Sequence, residues 1–104
     1  MPELNPKPTL KDYQDYVTAL EKERGFSTDL YHYCLMLGEE VGELFKAIRK
    51  AEKQQVDANS KIGNIDEELA DVFIFICTIA NKYNINLEQA FRAKEEINKN
   101  RIWK

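Results

Sequence analysis

All three prolines of this chain, Pro2, Pro6 and Pro8, fall within its first eight residues. Because a proline inside a helix removes a backbone hydrogen bond and clashes with the preceding turn, the rest of the chain is free to be helical. No segment longer than a few residues alternates apolar with polar side chains, so no sheet is indicated. We therefore predict an all-α fold, with an extended N-terminal arm over residues 1–8 and a single helical domain over residues 9–104.

Two amphipathic helices are predicted in the first half of the chain. Thr9 is suited to cap a first helix that reaches about residue 24, and Gly25 is typical of a residue that ends a helix. A longer second helix starts at Ser27 or Thr28 and continues to about residue 53. Its apolar stripe recurs at steps of three and four residues and comprises Leu30, Cys34, Leu37, Val41, Leu44 and Ile48.

Two further helices follow a polar loop over residues 54–63. Asn64 and Glu67 form a capping-box pattern that opens a third helix to about residue 83, and Asn86 and Gln89 repeat it for a fourth helix to about residue 102. We expect the apolar residues of the fourth helix to face inward, namely Leu87, Ala90, Phe91 and Ile97. The third helix is apolar almost all round, so we expect a four-helix bundle that assembles into a homo-oligomer, with a second subunit covering the remaining face.

Composition and charge exclude several classes of protein. Hydrophobic residues make up 43% of the 104 residues and charged residues 32%, which is typical of a globular domain and not of a disordered chain. The net charge of −3 disfavours a protein that binds nucleic acid by neutralising phosphates. Cys34 and Cys77 lie in apolar runs, so we interpret both as core residues. No apolar run is long enough to cross a membrane and the N-terminus lacks a secretion signal, so we expect a cytoplasmic protein.

Acidic residues on the second and third helices are the main candidates for a functional site. On the second helix Glu39, Glu40 and Glu43 form a Glu-Glu-x-x-Glu pattern, and on the third helix the acids Glu67, Glu68 and Asp71 contain a Glu-x-x-Asp pattern. Residues three apart share a helix face, and a helical projection places Glu68 inside the apolar sector of the third helix, with Asp71 next to Phe75. Partly buried carboxylates repel each other unless a cation lies among them, and an all-oxygen set favours Mg²⁺ or Mn²⁺ over zinc. A solvated acidic face and salt bridges to other helices are the alternatives.

Other residues sharpen or exclude particular sites. His32 is the single histidine, whereas a ferritin-like di-iron centre needs two Glu-x-x-His pairs. Gly38 and Gly42 interrupt the second helix beside the acids, which calls for a reason such as close approach of a ligand or another backbone. On the fourth helix, residues on one face indicate either a solvated surface or a phosphate-binding one: Lys94, Asn98 and Arg101.

Together these patterns resemble the MazG-like all-α nucleoside triphosphate pyrophosphohydrolases. The resemblance is carried by the segments over residues 37–44 and 67–72, with twenty-four residues between Glu43 and Glu68. It implies a helical bundle that assembles as a dimer or tetramer and cleaves a nucleoside triphosphate to the monophosphate and pyrophosphate with Mg²⁺.

The resemblance also implies roles for individual residues. Glu40, Glu43, Glu68 and Asp71 would bind the metal, and Glu39 would orient or deprotonate the attacking water. Phosphate contacts would fall on Lys94, Asn98 and Arg101. Candidates for recognition of the base are aromatic or polar side chains, namely Tyr13, Tyr16, Phe26, His32, Tyr33 and Trp103. A second hypothesis, from a different class, is a non-catalytic helical oligomer whose acids form a surface or a structural ion site.

Overall fold

Four helices form the part of the chain that the computed structural model describes, residues 2–25, 29–54, 58 and 62–101. They are α1 (Leu10–Arg24), α2 (Leu30–Ala51), α3 (Ile65–Lys82) and α4 (Leu87–Lys99), and no strand occurs within these ranges. The all-α prediction is confirmed. None of the described helices combines the length and apolarity needed to span a membrane.

The helix termini follow the predicted capping residues closely, with two differences. Thr9 caps α1 in a capping box with Asp12, and Gly25 ends it in the left-handed conformation. Helix α2 begins after Asp29, whose side chain accepts a hydrogen bond from the Tyr31 backbone, whereas residues 27 and 28 lie outside the described ranges. Asn64 precedes α3 without capping it, because its side-chain amide donates to the Glu67 carboxylate instead.

Helix α4 starts as predicted, since the Asn86 side chain accepts from the Gln89 backbone. It ends at Lys99, earlier than predicted, since Asn100 and Arg101 are not helical; residue 102 lies outside the described residues. The predicted loop over residues 54–63 is described only at Gln54, at Ala58 and from residue 62, and these positions are not helical.

Helix packing centres on α3. Helices α2 and α3 have the most extensive contact, α1 packs on α3, and α4 packs mainly on α1. Tyr33 of α2 contacts Phe75 of α3 with ring centroids 6.4 Å apart, and Tyr13 of α1 meets Phe73 edge-on at 5.5 Å. The buried apolar core comprises Val17, Leu20, Tyr33, Ala47, Cys77 and Ala80.

The predicted inward orientation of α4 is wrong for most of its apolar residues. Phe91 is 70% exposed and Ile97 is 57% exposed, and Ala90 is exposed as well; Leu87 alone of the four is half-buried. The reason is that, within the described part of the chain, α4 packs mainly on α1, and this limited contact leaves its apolar side chains beyond the first turn uncovered.

A broad apolar face remains open on the α2–α3 pair. We call it the apolar face; its residues are all exposed or half-buried and comprise Tyr31, Cys34, Gly38, Val41, Phe45 and Ile48 of α2, Leu69, Val72, Ile76 and Ile79 of α3, and Tyr83, which directly follows α3. In each helix these positions alternate at steps of three and four residues, which is the spacing of a helix-packing seam. At about 100° per residue, the seam of each helix is rotated in the same sense about the helix axis, starting from the residues that contact the other helix. Because the two helices are antiparallel, both seams therefore lie on the same side of the pair.

The two cysteines differ in environment. Cys77 is fully buried, and its burial raises the pKa of the thiol to about 11. The interpretation of Cys34 as a core residue is wrong for the single chain, because Cys34 is exposed on the apolar face.

Candidate metal centre

Three carboxylates meet where α2 crosses the first turns of α3. Glu40, Glu68 and Asp71 each offer one carboxylate oxygen such that all three oxygens lie within 4.8 Å of one another. All three residues are half-buried. The Tyr33–Phe75 contact lies two turns away from Glu40 along α2, and it fixes the register of the antiparallel helices that brings these acids together.

The electrostatics of this cluster are unfavourable without a cation. The pKa of Glu40 is raised above its ordinary value of 4.5, first by burial and then by the negative charges of Asp71 and Glu68. A hydrogen bond between the Glu40 and Glu68 carboxyl groups raises it further. Proximity of like charges therefore favours either a retained proton or a bound cation.

The donor set fits a hard divalent cation. Oxygens bound to one Mg²⁺ at about 2.1 Å lie roughly 3.0 Å apart when adjacent and about 4.2 Å apart when opposite. The three oxygens lie within 4.8 Å of one another, so small side-chain rotations are enough to gather them around one ion. Carboxylate-only ligands are those that Mg²⁺ and Mn²⁺ prefer.

The other acids of the pattern lie outside this group. Glu43 is half-buried, and its Oε1 lies 3.8 Å from the Nζ of Lys46 on the same helix. Glu39 is exposed, although its charge contributes to the raised pKa of Glu40. The structure thus brings together three of the four predicted metal ligands and leaves Glu43 and Glu39 at the periphery.

The predicted phosphate contacts are not next to the carboxylates within one chain. Lys94 and Arg101 are exposed, and Asn98 is half-buried with its Oδ1 at 3.5 Å from the Arg101 guanidinium. Lys94 and Asn98 lie on α4, which packs mainly on α1 and not on the α2–α3 pair, and Arg101 lies two residues beyond the end of α4.

A polar junction that the sequence analysis missed holds the start of α4. The buried Gln14 side chain of α1 donates to Asn81 Oδ1 at 3.1 Å and to the Ile85 carbonyl at 2.8 Å, and it accepts from the Leu87 backbone N–H at 2.9 Å. Asn81 in turn donates to the Gln14 carbonyl at 2.9 Å. The signal in the sequence was a glutamine flanked by the apolar positions Leu10, Tyr13 and Val17 of α1.

The candidates for base recognition are scattered. Tyr33 is buried against Phe75, and Tyr13 packs on Phe73. Tyr16 is half-buried and His32 is exposed. Phe26 and Trp103 lie outside the described residues.

Gly38 and Gly42 have open space around them in this chain. Within the described part of the molecule, a Cβ built on either glycine meets no atom within 4 Å. The close approach expected from the sequence is therefore not made by the described residues of this chain.

Comparison with known proteins gives a consistent result. The family model described as MazG nucleotide pyrophosphohydrolase domain matches residues 29–101. The crystal structure of Ctag-iMazG from Vibrio DAT 722 is 36% identical, with 88% of this chain and 98% of that chain covered and a TM-score of 0.66. The Ntag-iMazG structure from the same source is also 36% identical, with 89% and 99% covered and a TM-score of 0.66. Among curated proteins, none matches at a significant level.

Proposed function

Because this chain belongs to the MazG nucleotide pyrophosphohydrolase family, we propose that it is a Mg²⁺-dependent enzyme that converts a nucleoside or deoxynucleoside triphosphate to the monophosphate and pyrophosphate. Mn²⁺ is expected to substitute for Mg²⁺. The observation that carries the proposal is the convergence of the Glu40, Glu68 and Asp71 carboxylates. We assign the reaction to clearance of non-standard or surplus nucleotides in the cytoplasm.

The proposed metal ligands are the three clustered carboxylates together with Glu43. Glu43 lies one turn from Glu40 on α2, and its ion pair with Lys46, at 3.8 Å and partly exposed, is weak enough to be exchanged for a metal contact. When bound, a divalent ion neutralises negative charge on the phosphate oxygens.

Hydrolysis requires a water molecule to attack the α-phosphorus in line with the leaving pyrophosphate. The water oxygen forms the new bond to phosphorus while the α–β anhydride bond breaks. We assign the orientation or deprotonation of this water to Glu39, which is adjacent to the clustered Glu40 and exposed to solvent.

We assign binding of the remaining, metal-free phosphate oxygens to Lys94, Asn98 and Arg101. Since α4 packs on α1 within one chain, we propose that α4 of one chain approaches the carboxylates of a partner in a homo-oligomer. The open apolar face supports such an assembly, as does a radius of gyration of 16.4 Å. A compact domain of this length is expected to have about 13 Å.

Release of pyrophosphate from a panel of canonical and modified triphosphates tests the proposal. We expect hydrolysis that requires Mg²⁺ or Mn²⁺ and that falls at least about 100-fold in Glu68→Gln, because that variant loses a charged ligand. Glu67→Gln is the matched control, since Glu67 is the exposed neighbour of Glu68 and lies outside the cluster. A folded, metal-supplied wild-type protein that cleaves no nucleotide would overturn the proposal.

A further inference from the structure

The loop that enters α3 passes directly against one of the clustered carboxylates. Gly63 lies five residues before Glu68 and immediately before Asn64, the residue that precedes α3. The Glu68 backbone N–H donates to the Asn64 carbonyl at 3.0 Å, which places Glu68 at the end of the first turn. Helical side chains lean toward the N-terminus of their helix, so the Glu68 carboxylate lies back over that turn and against Gly63.

A side chain at position 63 would occupy the space of that carboxylate. A Cβ built on Gly63 overlaps Glu68 Oε1 and lies 3.2 Å from Glu68 Cδ and 3.6 Å from Glu68 Cγ. All three of its nearest atoms thus belong to one residue.

The backbone conformation of Gly63 does not itself demand glycine. Of the described glycines only Gly25 has a positive φ, so an L-residue at position 63 meets no backbone strain from the left-handed region. What glycine supplies here is the absence of a Cβ. The steric cost of any other residue falls on the Glu68 carboxylate.

We infer that Gly63 is a positioning residue for metal binding: its missing side chain leaves the room in which the Glu68 carboxylate stands beside Glu40 and Asp71. The inference rests on the proposed function, because it takes Glu68 as a metal ligand. Metal ligands must be held within about 0.5 Å of their working geometry, and a carboxylate displaced by a methyl group falls outside this tolerance. Loss of such support typically lowers metal affinity by about 10- to 100-fold.

Binding of Mn²⁺ alone, measured by calorimetry without nucleotide, tests the inference. In Gly63→Ala we expect the Mn²⁺ dissociation constant to rise about 10- to 100-fold, with helix content unchanged and with turnover recovering as Mn²⁺ is raised. Asn64→Ala is the matched control, since it alters the same loop but its side chain contacts the exposed Glu67. Unchanged Mn²⁺ affinity in Gly63→Ala would overturn the inference.

A second variant separates positioning from a role in folding. Glu68→Asp shortens the carboxylate by one methylene and makes room for a Cβ at position 63. We expect Glu68→Asp to weaken Mn²⁺ binding less in the Gly63→Ala background than in the wild type. Strictly additive effects, or a Gly63→Ala protein that fails to fold both with and without Glu68→Asp, would assign Gly63 to the loop backbone and overturn the inference. A wild-type protein that binds no Mn²⁺ would instead overturn the proposed function.

Discussion

The α2–α3 pair and α4 carry the two halves of the expected site, yet their settings in the molecule are opposite. The pair touches along its length, so the positions of Glu40, Glu68 and Asp71 follow from helix register. Helix α4 rests mainly on α1 and projects Lys94 into solvent. The spacing of residues on two helices that pack together thus predicts which side chains meet. The spacing on α4 predicts only which of its side chains share a helix face.

Removal of Lys94 gives the largest expected effect among the tests of this contrast. In Lys94→Ala we expect kcat/KM to fall about 10- to 100-fold, since a charged hydrogen bond to phosphate contributes about 1.5 to 3 kcal/mol. Calorimetry should show unchanged Mn²⁺ binding without nucleotide, because Lys94 is assigned to the phosphates and not to the metal. A fall in Mn²⁺ affinity would show that Lys94 also supports the carboxylates themselves.

Mixed oligomers distinguish contact within a chain from contact between chains. Glu68→Gln and Lys94→Ala proteins, co-refolded, should regain activity if the two residues act on the same nucleotide from different subunits. For a symmetric dimer the expected recovery is about a quarter of the wild-type rate. No recovery would mean that each chain uses its own α4.

Loss of the Gln14 junction has the next largest expected effect. Gln14→Leu leaves the Ile85 carbonyl and the Leu87 N–H without their partner, so we expect the free energy of unfolding to fall by about 1 to 3 kcal/mol. Chemical denaturation measures the loss. Hydrogen exchange should show the added opening at the first turn of α4 and at the C-terminal end of α3, where Asn81 also loses its Gln14 side-chain partner, and not along the rest of the α2–α3 pair. Uniform opening of all these regions would contradict this division.

Neutralising Glu40 has the smallest expected effect, and it is a gain in stability. The pKa of Glu40 is raised from 4.5 by burial and by the charges of Asp71 and Glu68. Between pH 4.5 and this raised pKa, Glu40 therefore binds more protons in the folded state than in the unfolded chain. The contribution of Glu40 to the stability of the metal-free wild type therefore falls as pH rises through that window. In Glu40→Gln we expect a smaller fall and a higher Tm at neutral pH in EDTA, measured by thermal unfolding from pH 4 to 8. A lower Tm than wild type at neutral pH would contradict it.

Sequence reasoning reached the helices and the core of the site for identifiable reasons. Capping residues such as Thr9 and Asn86 act on their own helix, so their signals are local. Glu68 and Asp71 were identified because their carboxylates lie in or beside an apolar sector of the helical projection, and both residues are half-buried in the structure. The Asn64 side chain instead donates a hydrogen bond to the Glu67 carboxylate. The capping pattern does not distinguish this partner from the backbone N–H that a capping residue would accept from.

What escaped sequence reasoning depends on neighbours distant in sequence or on exact placement. The apolar residues of α4 were expected to be buried because an amphipathic pattern shows which face of a helix is apolar. It does not show whether that face packs on the same chain or on another molecule. Cys34 was expected inside for the same reason, and a subunit on the apolar face would cover it. In the sequence, Gly63 is the last residue of the predicted polar loop over residues 54–63. The reason for a glycine at this position becomes apparent only from the structure, where the Glu68 carboxylate occupies the space of a Cβ.

The hydrogen bonds of Gln14 hold the first turn of α4, so a rotation of the helix at that turn acts over its whole length. With 13 residues and about 1.5 Å of rise per residue, α4 is roughly 20 Å long. A rotation of about 10° at Leu87 therefore moves the far end by about 3 Å, the length of a hydrogen bond. The proposed reach of Asn98 and Arg101 toward a phosphate therefore depends on the hydrogen bonds that Gln14 makes from another helix, and a small rotation at Leu87 becomes a larger displacement at these two residues.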